Sequence, residues 1–329
     1  AERCDVLVRK PQERRVLGAA VLAAAAWGRP APAPSPPAPP GWIRLGPDRD
    51  EIAYEERSPA AKKKLLRKIN ADREAHGAPP LAYDLLAAKV GDAFCRDAAA
   101  EGFLGHWDLA GRPPYLRWAL AGGVDLHAQN AGSISRKGWD VAEAEIGALL
   151  LEANARMMAE RPPDDGHRRA ILDPKWTHVG IGVAWQGGEF RMTEEFVRRV
   201  AEWVELPAGP LPAGGSATIR VRLPDGWAAG LIEVAHDPPP VPMTAAEIGR
   251  RTSYGLPKGF VSLRPVLAAP MRYRDGIPGE FTEERGRLEA RIPLTVGPGS
   301  YYAVLFAEKG PVAAGATLWP VAVVRIEAR

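Results

Sequence analysis

The residues best placed to do chemistry are two histidines. His106 stands in Gly102-Phe-Leu-Gly-His-Trp-Asp108, and His167 stands in Asp164-Asp-Gly-His-Arg-Arg-Ala-Ile-Leu172, with Gln129-Asn130 between them. An imidazole changes charge near neutral pH, accepts or gives a proton, and ligates divalent metals. Each of these two falls where a helical pattern gives way to a turn, so a rigid element can present it to solvent. No Gly-x-Ser-x-Gly elbow and no His-Glu-x-x-His helix occurs, which removes the standard serine and zinc hydrolase templates. Ser133 and Ser135 follow Asn130 as ordinary turn serines. Gly180-Ile-Gly182 lacks the third glycine and the following helix of a dinucleotide site. No catalytic residue is assigned, and binding is the safer class than catalysis.

The elements that must hold these histidines are legible from capping and periodicity. Ser58-Pro59 reads as the start of a helix carrying Leu65, Leu66, Ile69 and Arg73 and stopped by Gly77. Asp84 caps a second helix with Leu86, Val90, Ala93 and Phe94 on one side, ending at Gly102 just before His106. Pro113-Pro114 opens a short third helix, 115–121. Asp140 with Glu143 reads as an acidic capping box before a long helix with the buried stripe Ile146, Leu149, Leu150, Ala153 and Met157, broken by Pro162-Pro163. His167 heads a last short helix. Runs 179–185 and 189–197 then form a hairpin around Gln186-Gly-Gly188. Helices first and antiparallel strands last give an α+β layered fold.

In this order, Asn70-Ala-Asp-Arg-Glu-Ala-His-Gly, Leu81-Ala-Tyr-Asp-Leu-Leu-Ala, Gly-Phe-Leu-Gly-His106, Ala-Gln129-Asn130, Gly-His167-Arg-Arg-Ala-Ile-Leu, Val-Gly-Ile-Gly-Val183 and Met-Thr-Glu-Glu-Phe196 resemble a bacterial CAP domain. That superfamily comprises the cysteine-rich secretory proteins, antigen 5 and pathogenesis-related 1, and the likeness covers about residues 60–200. It implies an α-β-α sandwich with a large central cleft, usually secreted, in which two histidines and two acidic residues face each other and in some members hold a divalent cation.

Carried over to this chain, His106 and His167 match the family's histidines. Gln129 stands where a glutamate normally precedes the asparagine, and an amide oxygen is a weak neutral ligand and no base. Glu152, with Glu160 behind it, is the match for the second acid. Thr193-Glu194 stands where Thr-Gln is usual, so Glu194 joins the cleft residues with Gln129 and Asn130. Zinc or another divalent cation held by His106 and His167 is the one cofactor the resemblance offers, and Gln129 leaves that ligand set incomplete. Asn130 reads as a structural turn asparagine, and His127 and His178 as surface groups.

The rest of the chain supplies context. With 43 basic and 40 acidic residues, a net charge of +3 and 46% apolar content, it has no sequence-wide electrostatic footprint for nucleic acid. Residues 1–28 run basic, apolar, then small and proline-rich, the order of a secretory signal peptide, and the apolar run is too short to span a membrane comfortably. Residues 29–57 read as a Pro/Ala-rich tether, 58–204 as the CAP-like domain and 205–215 as a linker. Of the two cysteines, Cys4 lies in the signal region and Cys95 on an apolar helix face, where a thiol acts as a small hydrophobe. Residues 216–329 carry alternating strands at 218–223, 231–235, 260–266, 288–294, 301–307 and 320–326, the pattern of an immunoglobulin-like β-sandwich. A Pro/Gly-rich interruption, Asp237 to Gly259, reads as a binding loop or an insertion. The function expected is a secreted or cell-envelope protein that binds an extracellular ligand, such as wall polysaccharide, lipid or protein. A metal-assisted hydrolase, and an envelope scaffold whose C-terminal sandwich binds, are the alternatives.

Overall fold

A computed structural model describes residues 42–43 (backbone only), 54–251, 253–310, 312 and 318–329. The signal-like residues 1–28, Cys4 and most of the 29–57 stretch lie outside the described residues. Strand β1 (Trp42–Ile43) comes first, and the first layered unit follows. In chain order that unit contains α1 (Pro59–Ala75), β2 (Ala82–Tyr83), α2 (Leu85–Glu101), α3 (Pro114–Leu120), β3 (Leu126–Ser135), α4 (Ile146–Met158), α5 (Gly166–Leu172), β4 (His178–Gln186) and β5 (Glu189–Arg198).

The four strands order as β2-β4-β5-β3, with helices on both faces. On one face, Leu65 and Ile69 of α1, the α4 stripe from Ile146 to Met157 and Ile171 of α5 pack on Val179, Ile181, Val183, Phe190, Met192 and Phe196. On the other, Leu86, Ala87 and Val90 of α2 and Trp118 of α3 pack on Val197. This is the expected α-β-α sandwich. The two strand glycines have a packing reason: a Cβ on Gly180 would stand 2.2 Å from the Ala88 nitrogen, and one on Gly182 would stand 2.5 Å from the Gly91 Cα. Only glycine lets α2 approach β4 so closely. A buried ion pair ties α1 to α2, because Lys62 Nζ donates to both Asp92 carboxylate oxygens at 2.8 and 2.9 Å. Asp92 also accepts from the Val183 N–H at 2.7 Å and from the Tyr54 hydroxyl.

The second unit is built from β6 (Glu202–Pro207), β7 (Ser216–Arg222), β8 (Trp227–Asp237), α6 (Ala245–Gly249), β9 (Gly259–Leu263), β10 (Phe281–Glu284), β11 (Arg287–Pro293), β12 (Gly299–Lys309) and β13 (Trp319–Ala328). Sheets β1-β6-β7-β11-β10 and β13-β12-β8-β9 close face to face over one apolar core. Ile219, Val221, Leu288 and Ile292 from one sheet meet Ile232, Val234, Tyr301 and Val324 from the other, a β-sandwich.

Four local readings change. Residues 126–135 form an edge strand rather than a turn, so Ser133 and Ser135 sit on a strand and His127 is buried at 7% exposure. Ser58 adopts φ 49° with no capping bond from its side chain, which instead donates to Glu143 at 2.6 Å. The helix before His167 starts through a short 3-10 turn, where Glu145 rather than an Asp140/Glu143 pair accepts the Ala142 N–H at 3.0 Å. Residues 205–207 continue β6, and Trp203 is buried in the sandwich core rather than in the first unit.

Candidate functional site

The site is organised by β3, the sheet's edge strand. Side chains alternate across a strand, and β3 pairs with β5 so that Gln129 lies opposite Glu195 and Asn130 opposite Glu194. His127, Gln129 and Glu195 therefore face α2 and α3, while Asn130 and Glu194 face α4 and α5. One histidine approaches the strand from each side.

On the first side, His106 sits in the loop after α2. Arg117 holds that loop by donating to the carbonyl oxygens of His106 and Arg112 at 2.7 and 2.8 Å, and Arg191 donates to Phe103 O at 2.7 Å. His106 Nδ1 meets Gln129 Oε1 at 3.0 Å. Gln129 Nε2 in turn donates to Glu195 Oε1 at 2.8 Å, and His127 Nε2 meets Glu195 Oε2 at 2.8 Å. The His127 ring stacks on Trp118 with centroids 5.2 Å apart. Glu195 is fully buried. Burial pushes its carboxyl up, but the His127 bond and charge, Arg117 and the Gln129 amide outweigh that and hold it below the usual carboxylate range.

An ionised carboxylate only accepts hydrogen bonds, which fixes the chemistry of the row. Gln129 must present its NH2 to Glu195 and its oxygen to His106, so His106 carries its proton on Nδ1 and leaves Nε2 as the basic atom. The sequence lacks a carboxylate at 129, and the structure supplies one a residue further back, at 195. Burial lowers the basicity of His106, with Gln129 and Glu195 opposing and the charges of His167 and Arg117 reinforcing.

On the second side, Glu160 organises His167. It accepts from the His167 N–H at 3.0 Å, from the Arg168 N–H at 3.3 Å and from His167 Nδ1 at 2.5 Å. His167 is thereby also protonated on Nδ1, and among the described residues neither ring's Nε2 has a hydrogen-bond partner. Asn130 Nδ2 donates to His167 O at 3.1 Å and to Glu194 Oε2 at 3.0 Å, and Asn154 Nδ2 donates to Glu194 Oε1 at 2.8 Å. Burial raises the Glu194 carboxyl against those two amide bonds and the nearby His167.

These contacts correct parts of the sequence reading. Glu152 is 40% exposed and pairs with Arg156 and Arg136 on the outer face of α4, away from the histidines. The acid at His167 is Glu160, because the chain turns back between α4 and α5. Glu194 is enclosed by two asparagines and does not substitute for Gln129. Asn130 is a strand residue joining Glu194 to the His167 backbone rather than a turn former, and His127 is part of the buried row. Among the described residues, no group of three or more His, Cys, Asp or Glu side chains is arranged to hold a metal ion. Gln129 and the enclosed carboxylates leave His106 and His167 without the shared carboxylate a tight divalent site needs.

A contribution from the second unit was invisible to motif reading. The Tyr254 ring lies 4.6 Å from the His106 ring between centroids, and its hydroxyl bonds the Gln129 backbone, accepting from the N–H and donating to the carbonyl at 3.2 Å. Glu195 left a signal that could have been read: two consecutive glutamates in one strand must point to opposite faces, and both are buried. Tyr254 left none, since it reaches the site from the Asp237–Gly259 interruption.

Comparisons with known proteins find similarity in the first unit. The family model of the cysteine-rich secretory protein family, CAP, matches residues 66–196. The uncharacterized protein YkwD of Bacillus subtilis (strain 168) is 25% identical over 138 residues, 42% of this chain and 47% of the relative. The chain thus spans about half the length of that curated relative. An extracellular protein containing a SCP domain from Bacillus anthracis str. Ames is similar at 20% identity, with a TM-score of 0.33 over 47% of this chain and 44% of that one. An outer surface protein from Borrelia burgdorferi aligns at 13% identity, with a TM-score of 0.34 over 44% of this chain and 98% of that one. Residues 66–196 of this chain thus match a CAP domain, and the relatives above that share this region are bacterial.

Proposed function

We propose that this CAP-domain protein is exported and binds an extracellular ligand at the cleft between His106 and His167, without a metal and without covalent catalysis. The observation that carries the reading is the pair of oriented imidazoles. Each has Nδ1 committed to an acceptor, Gln129 in one case and Glu160 in the other, and Nε2 unpartnered. Such a pair offers fixed hydrogen-bonding atoms to a polar ligand, with the His106 ring set by the buried Gln129 amide and the His167 ring by the half-buried Glu160 carboxylate. The nearest serine on β3, Ser133, is four residues along the strand from Gln129, about 13 Å at strand rise, which leaves the imidazoles no nucleophile there. Export is supported by the basic, apolar and proline-rich order of residues 1–28. In the described residues no helix is long and apolar enough to cross a membrane. The immunoglobulin-like sandwich spaces or stabilises the first domain.

The test is co-sedimentation with insoluble, purified bacterial wall polysaccharide, and separately with phosphatidylglycerol vesicles. Wild type pelleting with one of these, and His106→Ala/His167→Ala remaining in the supernatant, supports the reading. Equal pelleting of both proteins places binding outside the histidines and refutes it.

A further inference from the structure

The described residues 238–251 and 253–258 leave the second domain, cross to the first and return. The sheet register shows that they are an insertion. Strands β8 and β9 are antiparallel neighbours, with Ala235 opposite Gly259, so a short turn would join them. The outgoing leg runs along the loop that carries His106. Met243 N–H donates to Leu109 O at 2.9 Å, and Ile248, 0% exposed, packs among Phe94, Ala98 and Phe103. Arg251 stacks 4.5 Å above the Trp107 ring. Tyr254 then reaches the His106 ring and the Gln129 backbone.

The first domain is shaped to receive it. A Cβ on Gly105 would lie 2.8 Å from Ile248 Cγ2, and one on Gly111 would lie 1.9 Å from Val241 O. Docking is nevertheless mostly partial. Ile248 is the one fully buried side chain among the described residues of the segment; Met243, Ala245, Tyr254 and Leu256 pack only partly buried, and Val241 is 75% exposed. A segment held by few buried apolar contacts opens at a fraction of the cost of global unfolding.

We propose that residues 238–258 are a strap that exchanges between a docked form, with Tyr254 over one face of His106, and a lifted form that opens the His106 wall to ligand. This rests on the cleft reading above and adds control of access to it. The strap makes the second domain part of the site: ligand meets either the Tyr254 ring beside His106 or, after lifting, the bare imidazole.

Diethyl pyrocarbonate labelling at neutral pH, followed by peptide mass mapping, tests the strap without any ligand. It acylates the free ring nitrogen of a neutral imidazole, and His167 serves as internal reference. Two variants release the strap. Ile248→Asp places a carboxylate among the phenylalanines, and a deletion joins Asp237 to Gly259 through Asn-Gly, the turn such a hairpin favours. Because reactivity follows the fraction in the open form, release should speed His106 relative to His167 by roughly fivefold or more. Should Ile248→Asp fail to fold, the deletion decides. An unchanged His106-to-His167 ratio in a folded deletion variant overturns the strap and leaves the cleft reading untouched, since that reading is judged by sedimentation.

Discussion

Restoring the residue that the family resemblance leads one to expect should damage this protein. Gln129→Glu removes the amide that donates to Glu195 Oε1 at 2.8 Å and puts a second carboxylate in its place. Glu195 is completely buried, and His127 and Arg117 already balance its charge. Two carboxylates about 4 Å apart at an effective dielectric of 20 repel by about 4 kcal/mol. The folded variant escapes by binding one extra proton, on the carboxyl pair or on His106, which the unfolded chain, with both acids ionised, does not hold above the ordinary carboxylate range. The folded state then binds more protons than the unfolded one, so the variant loses stability as pH rises. At about 4 kcal/mol the melting temperature falls by roughly 10 °C near pH 7, and by less near pH 5. Calorimetric melts of both proteins across that range measure it. If Gln129→Glu melts within a degree or two of wild type at every pH, Gln129 does not face an ionised Glu195, and the tautomer assigned to His106 loses its basis.

Three further outcomes follow from the same contacts. Glu160→Ala, which strips the acceptor from the His167 ring and backbone, should cost about 1–2 kcal/mol in denaturant melts, whereas Glu152→Ala, on a solvated helix face, should stay within about 0.5 kcal/mol. Asp92→Ala leaves the buried Lys62 ammonium only the longer contact to Glu56 at 3.6 Å and should cost about 3 kcal/mol by the same melts. Burial holds His106 below the ordinary imidazole range, so on acidification the unfolded chain takes up that proton first. Stability is therefore lost as pH falls through the histidine range, and His106→Gln should flatten that part of the stability profile.

How far the site was legible depended on what kind of signal each residue left. His106 and His167 could be located because each follows a helix boundary set by Gly102 or by Pro162-Pro163, and such boundaries are written locally. The partners of those histidines were hidden for different reasons. Strand β3 mixes polar and small residues without a regular period, from His127 through Gly132 to Ser135, so it carries no clear apolar stripe and reads as a turn; pairing with β5 makes it a strand. Glu160 lost to Glu152 because helical spacing favours α4, whereas the contact is made by the chain turning back after the helix ends at Met158. Tyr254 belongs to a different domain, and no local pattern predicts which surface an insertion will cross.

If His106 and His167 form the one site proposed across the edge strand, charge on His167 weakens the base at His106. The direct measurement is the NMR titration of the His106 Cε1–H signal in wild type and in His167→Gln. With His167 neutralised, the His106 midpoint should move up toward the ordinary imidazole value while the fold is retained. A His106 midpoint unaltered by loss of His167 would mean that the two imidazoles do not share a site.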